Sequence, residues 1–454
     1  MRPPRAYPGR RGTILIVTMW IILALVAVTL VMAHAARTEI FISANELALL
    51  QARAVEQGAI QYVLSRVASL QGQMPDETQT ECEAVPVGLG AFWILKPDFE
   101  DDSRVNFGIV DEASKVNLNT APASQLALLG EMDSELAAAI VDWRDEDETV
   151  TTGGAESEYY LLLGDPYPCK NSTLETVDEL LLIRDFDTEI LYREDVNRNG
   201  MLDANENDAD ATAPSDNRDG KLDRGLAPFV TVYSREPNRA ADGEQRANVN
   251  QENNSTLSTL LNKHLSSARA AEVLGRARTA RPFTSVLDFI VRMELTSDEA
   301  NAVSDYLTTS SQTTLRGLIN VNTASSEVLA TLPGLDESDV NALLSARASN
   351  DAGTITIGWI AQALKPDKAA AIGPLITGRA YRFSADIVSL APSGRAFRRC
   401  FIIVDAQKSV PRVVYRQDLT HLGWPLEPEI LAAVRAGASL ESLRPSHTLG
   451  EATP

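Results

Sequence analysis

From Thr13 to Ala33 the chain runs through 21 residues with no charge, no proline and no glycine. At about 1.5 Å per helical residue that run matches the ~30 Å hydrocarbon core of a bilayer. The twelve residues before it carry Arg2, Arg5, Arg10 and Arg11 and no acid. Positive flanks stay cytoplasmic, so the bulk of the chain is expected on the far side of the membrane. A cleaved secretory signal is the rival reading, because Ala33-His34-Ala35 has the small-x-small form of a cleavage site. The apolar run is longer than the usual ~7–15-residue signal core. It also continues into an amphipathic stripe of Ala44, Leu47, Ala48, Val55, Ala59, Tyr62, Val63, Val67 and Leu70. This spacing predicts one helix over 13–70, its first half (13–35) in lipid and its second half packed on a folded domain.

Composition sets outer bounds. The 454 residues carry a net charge of -21, which disfavours nucleic acid or anionic lipid as a partner of the soluble part. With Cys82, Cys169 and Cys400 only, the chain is no disulfide scaffold. An oxidising compartment allows one bridge. Loop-like surroundings favour Cys82–Cys169, whereas Cys400 lies in the apolar run Cys400-Phe-Ile-Ile-Val404.

Strand-like segments fall at the two ends of the soluble part. Ala91–Pro97 and Arg104–Asp111 come first, after a polar loop over 71–90. Arg379–Leu390, Ala396–Asp405 and Val410–Thr420 follow much later, with Pro392-Ser393-Gly394 as a turn. Between them the pattern is mostly helical. The fold class is therefore α+β: a long N-terminal transmembrane helix and an antiparallel sheet (73–112 and 376–425), interrupted by a large, mostly α-helical insertion (113–375). Residues 426–454 form a tail.

The insertion contains a repeat. Val116-Asn-Leu-Asn-Thr-Ala121 recurs as Ile319-Asn-Val-Asn-Thr-Ala324, and more weakly as Ala247-Asn-Val-Asn250; Arg144 matches Arg347. The last full copy, with Leu332-Pro333-Gly334, resembles a helix–hairpin–helix, a phosphate-gripping device. However, Asp336, Glu337 and Asp339 stand where phosphate would lie. Packed structural units are one reading of the repeats and DNA binding or uptake the other.

The strongest chemical motif is Asp195-Val-Asn197-Arg-Asn199-Gly200-Met201-Leu202-Asp203-Ala-Asn205-Glu206. It has the twelve-residue EF-hand pattern: oxygen side chains at positions 1, 3, 5 and 9, glycine at the turn and glutamate at 12. Ca²⁺ needs about six to eight oxygens at ~2.3–2.6 Å, and this spacing wraps them round one centre. Met201 supplies its carbonyl, and Leu202 is the apolar position expected to pin the loop. An incomplete second loop offers Asn217, Asp219, Lys221 (through its carbonyl) and Asp223, with Asp208, Asp210 or Asp216 as spare acids. One calcium ion is expected and a second is open. No catalytic constellation stands out: His34, His264, His421 and His447 are scattered, and Asp142, Glu146 and Asp147 read as a solvated helix face.

A resemblance now joins these features. Arg10-Arg11-Gly12 before Thr13-Ile-Leu-Ile-Val17 and a long apolar helix resembles a type IV pilin-like leader, whose peptidase cuts after glycine and methylates the new N-terminus. Gly12 and Thr13 would be the processing site. Most of that family have glutamate where this chain has Val17, and the departure is similar to the K-type minor pseudopilins of type II secretion systems. That resemblance implies a pilin-like sheet domain with an inserted helix-hairpin-helix or SAM-like domain holding calcium. It implies residence in the bacterial inner membrane with the bulk in the periplasm. The implied partners are prepilin peptidase and the I- and J-type minor pseudopilins, with no nucleic acid, and the implied role is structural, not enzymatic.

Overall fold

A computed structural model describes residues 11–209, 211–252, 254–349 and 355–438. Most of the leader, Asp210 and the last part of the tail lie outside the described residues. Helix α1 (Arg11–Val67) spans 57 residues. No proline interrupts it, and it ends where Ser69 and Gln71 take positive φ. Its large apolar side chains from Ile14 to Met32 are between 50% and 71% exposed. From Ala48 onward a stripe of Ala52, Val55, Ala59, Val63 and Val67 is buried instead. One helix therefore presents an uncovered apolar half and a packed half, the division its sequence periodicity predicts.

The packed half lies on a seven-stranded antiparallel sheet. Its strands are β1 (Val85–Val87), β2 (Gly90–Lys96), β3 (Asn106–Phe107), β4 (Val110–Asp111), β5 (Arg382–Leu390), β6 (Phe397–Asp405) and β7 (Arg412–Asp418). The order is β1-β2-β5-β6-β7, with β3 beside β2 and β4 beside β5. Strand β1 falls in the stretch read as loop, and Arg104–Asp111 is two short strands rather than one. Ile387 stands opposite Ile94 on β2, so the sheet joins chain segments from either side of the insertion. On one face Phe92, Ile94, Ile387, Cys400 and Ile402 meet Val55, Ala59 and Val63 of α1. On the other, Trp93, Leu95, Val388 and Leu390 pack with Leu426 and Val434. Close approach on the α1 face requires glycine at Gly90, where a Cβ would lie 2.5 Å from Val55 and 2.7 Å from the Leu390 carbonyl oxygen. Glu56, fully buried on α1, is paired with Arg398 (2.6 Å) and Arg416 on the sheet.

The insertion is three related units, each closed by a parallel pair of two-residue strands. Val116–Asn117 pairs with Val230–Thr231, Ala247–Asn248 with Leu307–Thr308, and Ile319–Asn320 with Ile376–Thr377. In every unit the residue after the first strand donates its N–H to the closing threonine's carbonyl, at 2.8, 3.0 and 3.0 Å. The closing partner, an apolar residue and then threonine, escaped the repeat reading because two residues carry too little pattern. The second asparagine of the motif clamps backbone in each unit: Asn119 at Leu174, Asn250 at Phe283 and Asn322 at Gly378. The first and third units share one core, which Leu287, Ile290 and Ala300 of the middle unit also enter, and the middle unit has a second core of its own.

This packing answers the hairpin question. Arg144 donates to the Leu118 and Ala121 carbonyls, and Arg347 to those of Val321 and Ala324. The matched arginines thus hold the motif's own backbone. At the hairpin's second helix, α3 (Glu337–Ala348), the N-terminus is capped by Asp336 and Asp339, both paired with Lys368. Hydrogen bonds from Lys368 and Ser338 hold the Asp336 carboxyl well below its usual range, so its negative charge persists where a phosphate would bind. The chain is accordingly expected to show no retention of duplex DNA at low salt, where phosphate contacts are strongest. Micromolar retention that falls steeply with added salt would overturn this.

The disulfide expectation is corrected. Cys82 and Cys169 are both free and buried, the first in the sheet core and the second in the core of the insertion. The Cys169 Sγ instead donates toward the Asp142 carbonyl at 3.7 Å.

Candidate metal centre

The loop 195–206 begins just after a short helix, Thr188–Tyr192, capped by Asp187. Its turn is built by side chain to backbone bonds. Asp195 accepts from the N–H groups of Asn199 (2.9 Å) and Gly200 (3.1 Å), Asn197 from Asn199 (2.9 Å), and Asn199 from Met201 (2.8 Å). Gly200 has φ +73°, the left-handed conformation that favours glycine at the sharp turn. The amide groups of Asn197 and Asn199 both donate to one oxygen of Asp203, at 2.6 and 3.0 Å. The structure therefore brings three of the expected ligands, Asn197, Asn199 and Asp203, to one point, while Asp195 holds the backbone of the same turn. An Asn amide can exchange its N and O by rotation, so this donor pair can become an acceptor pair for a cation.

Glu206, the twelfth position, is buried and accepts from the Asp203 N–H at 3.0 Å. Burial, then Asp195, Asp203 and Glu194, push its carboxyl up to about 8. Burial pushes Asp195 up to about 6 despite its hydrogen bonds and Arg399. Acids so crowded and desolvated need either protons or a cation. The residues present fit calcium: hard oxygen donors, excess negative charge and a turn preformed for wrapping. Met201 lies within the loop as expected, but its side chain also packs against the far face of the sheet. Leu202, expected to be the apolar pin, is half-buried and contributes its N–H to the Asp102 carbonyl at 2.8 Å.

The second loop is docked on the first. The N–H groups of Glu194 and Asp195 both donate to the Asp223 carbonyl. Glu194, which the spacing pattern passed over, joins the two by accepting from the N–H groups of Asn217 and Asp223. Asn217 and Asp219 make turn bonds to Asp219 and Lys221 within an exposed segment. Asp216 and Asp208, offered as spare ligands, are engaged by Ala209 and by Thr212. The second set is thus less converged than the first.

Both loops sit against the sheet. Arg399 of β6, fully buried, donates to the Asn197 and Arg198 carbonyls at 2.5 Å each and pairs with Asp386 of β5 at 2.7 Å. Asp102 receives the Leu222 N–H on its carboxylate at 2.8 Å. No sequence pattern points to Arg399 or Asp102, because both lie far from the loops in the chain.

An α+β architecture, with a split sheet on an apolar-tipped helix and a three-unit insertion, is the class this geometry defines. Residues 112–193 match the family model "Type II secretion system (T2SS), protein K", first domain, and residues 319–364 match a second model of the same description. Over these two stretches the chain is similar to the type II secretion system protein K family. The crystal structure of the GspK-GspI-GspJ complex from the enterotoxigenic Escherichia coli type 2 secretion system is similar over 85% of this chain and 99% of that chain, at 12% identity and a TM-score of 0.40. No curated protein matches the chain.

Proposed function

We propose that this chain is a calcium-stabilised minor pseudopilin that caps the periplasmic pseudopilus of a type II secretion system. The observation that carries the reading is α1: an uncovered apolar half, of the length of a bilayer, continuous with a half built into the sheet. Such a helix anchors a precursor in the inner membrane and then packs along neighbouring pseudopilin helices. Prepilin peptidase would cut after Gly12, leaving methylated Thr13. The I- and J-type minor pseudopilins are the proposed partners, since a complex of that composition contains the protein similar to this one.

Position at the tip follows from Val17. A charge in an apolar helix needs a partner, and in most of the family glutamate at this place is thought to neutralise the terminal amine of the adjacent subunit. Val17 cannot, so a subunit ahead of this one would keep an uncompensated amine. At the tip none lies ahead. The bulk of the insertion points the same way, because it would crowd a repeating shaft. In pseudopili carrying a label at an engineered cysteine in the insertion, one label per filament at the membrane-distal end is expected, on chains whose N-terminus by mass spectrometry is Thr13. Label spaced along the shaft, or an N-terminus at Ala36, would remove the proposal.

A further inference from the structure

Outside the calcium loop, one acidic group is arranged as though something were to sit within it. Helix α2 (Ser134–Arg144) carries Asp142 in its last turn and is followed by Asp145; the chain returns through Gly153-Gly154 to Glu156. One carboxylate oxygen from each of Asp142, Asp145 and Glu156 lies within 4.8 Å of the others. Two Ca²⁺–O bonds of about 2.4 Å placed back to back span the same distance, so the three oxygens fit one coordination sphere. Asp142 is fully buried and Glu156 only 2% exposed. This contradicts the solvated helix face that the sequence suggested for Asp142.

The second observation is Glu156 itself. Both of its carboxylate oxygens, and one of Asp145, are buried without a full hydrogen-bond partner; the neighbouring Cys169 thiol, a weak donor, is turned to the Asp142 carbonyl. Buried acceptors of this kind are rare, because an unmade bond to a charged group costs more than a neutral one. Nor does a basic side chain offset the charge. Among the described residues no lysine or arginine forms an ion pair with any of the three. Arg144 is turned to the Leu118 and Ala121 carbonyls, and Arg184 to those of Gly153 and Gly154. The sign of the helix end is also wrong: the C-terminus of α2 carries partial negative charge, which favours cations and repels Asp142 and Asp145. The pocket is nevertheless held in shape. Asp142 accepts from the Thr151 N–H at 3.1 Å, and a Cβ at Gly154 would lie 2.1 Å from an Asp142 oxygen, so only glycine lets the return strand pass.

We propose that Asp142, Asp145 and Glu156 bind a divalent, oxygen-seeking cation, calcium, at a site separate from the loop 195–206. Three carboxylates supply up to three negative charges, and water completes a shell that three protein ligands do not fill. The ion would tie the end of α2 to the start of the helix Ser157–Tyr160, across the core formed by Trp143 and Tyr160. The site stands on this geometry alone and does not rest on the pseudopilus reading.

The test is calcium titration of the full chain in detergent after chelation, counting bound ions by equilibrium dialysis. Glu156→Gln preserves shape and removes the charge, and Asp145→Asn does the same at the more accessible position. Each is expected to remove one ion per chain, weakening that site at least about tenfold, since ligand charge sets calcium affinity. The loss should be the same in a Glu206→Ala background, where the loop 195–206 is already disabled. Melting in chelator reports folding: Glu156→Gln should melt no lower than the native chain, because it removes an unpartnered carboxylate. Equal ion counts in native, Glu156→Gln and Asp145→Asn chains would overturn the site and leave Glu156 as a carboxyl kept protonated by burial.

Discussion

Chelating calcium is expected to lower the melting temperature of the chain by roughly 5–15 °C near pH 8. An ion held at about 100–1,000 times its dissociation constant contributes roughly 2.7–4.1 kcal/mol, and each kcal/mol moves a domain of this size by about 2–4 °C. Glu206→Ala should remove the part of the calcium response that the loop 195–206 supplies while leaving the chelated protein about as stable as the native chain in chelator, because the residue is a liability without its ion. The sign of the pH dependence follows from the raised carboxyls. Burial lifts Glu206 to about 8 and Asp195 to about 6. A group whose folded pKa lies above its unfolded one stabilises fully below the unfolded value and loses that contribution as pH rises through the folded value. The chelated chain should therefore lose stability between about pH 4.5 and pH 8. Calcium takes the place of those protons, so its stabilising increment should grow over the same window. A melting temperature indifferent to chelator at about pH 8 would rule out a structural ion in either loop.

How much of this was legible in the sequence depends on how local the determinant is. The long helix, the strands Gly90–Lys96, Arg382–Leu390, Phe397–Asp405 and Arg412–Asp418, and the α+β class follow from runs of apolar periodicity long enough to stand above chance. The turn at Gly394, φ +63°, follows from Pro392-Ser393-Gly394. Strand β1 did not, because Val85-Pro-Val87 is three residues made a strand by Gly90–Phe92 opposite it. The two-residue closing strands of the insertion are invisible for the same reason. The helix–hairpin–helix alternative rested on Pro333-Gly334. It weakens once Arg347 is seen facing inward, a direction that spacing cannot give.

The metal loop shows the same division. The turn that Asp195, Asn197, Asn199 and Asp203 build was legible because an EF-hand-like pattern is written within twelve residues. What crosses the chain was not: Glu194 bridging to Asn217 and Asp223, Asp102 receiving Leu202 and Leu222, Arg399 reaching from β6. Asp142 and Glu156 fall between these cases. They are close in sequence, yet their burial is set by Trp143, Tyr160 and the Gly153-Gly154 return, which hydrophobic pattern alone does not reveal.

Arg399 is where the largest mutational effect is expected. Every nitrogen of its guanidinium is engaged: Nε and Nη2 with Asp386, Nη1 with the Asn197 carbonyl, and Nη2 also with the Arg198 carbonyl. Arg399→Met fills the volume but leaves Asp386 without its cation and two loop carbonyls without donors. Breaking one partner of a buried pair costs about 3–5 kcal/mol, or a fall of roughly 6–20 °C on the same conversion. Such a loss also follows from any buried ion pair, so stability alone does not establish a link to the metal. Calcium affinity does. The carbonyls that Arg399 holds belong to Asn197 and Arg198, inside the loop whose side chains converge on Asp203, and their release loosens a turn that must be preformed to wrap an ion. Arg399→Lys separates the two effects, since it keeps the charge near Asp386 but lacks the planar fork that reaches both carbonyls. It should recover part of the melting temperature while still binding calcium about tenfold more weakly than the native chain, the cost of losing a supporting contact behind the ligands. Native calcium affinity in a folded Arg399→Lys chain would mean that the sheet carries the loop without shaping it.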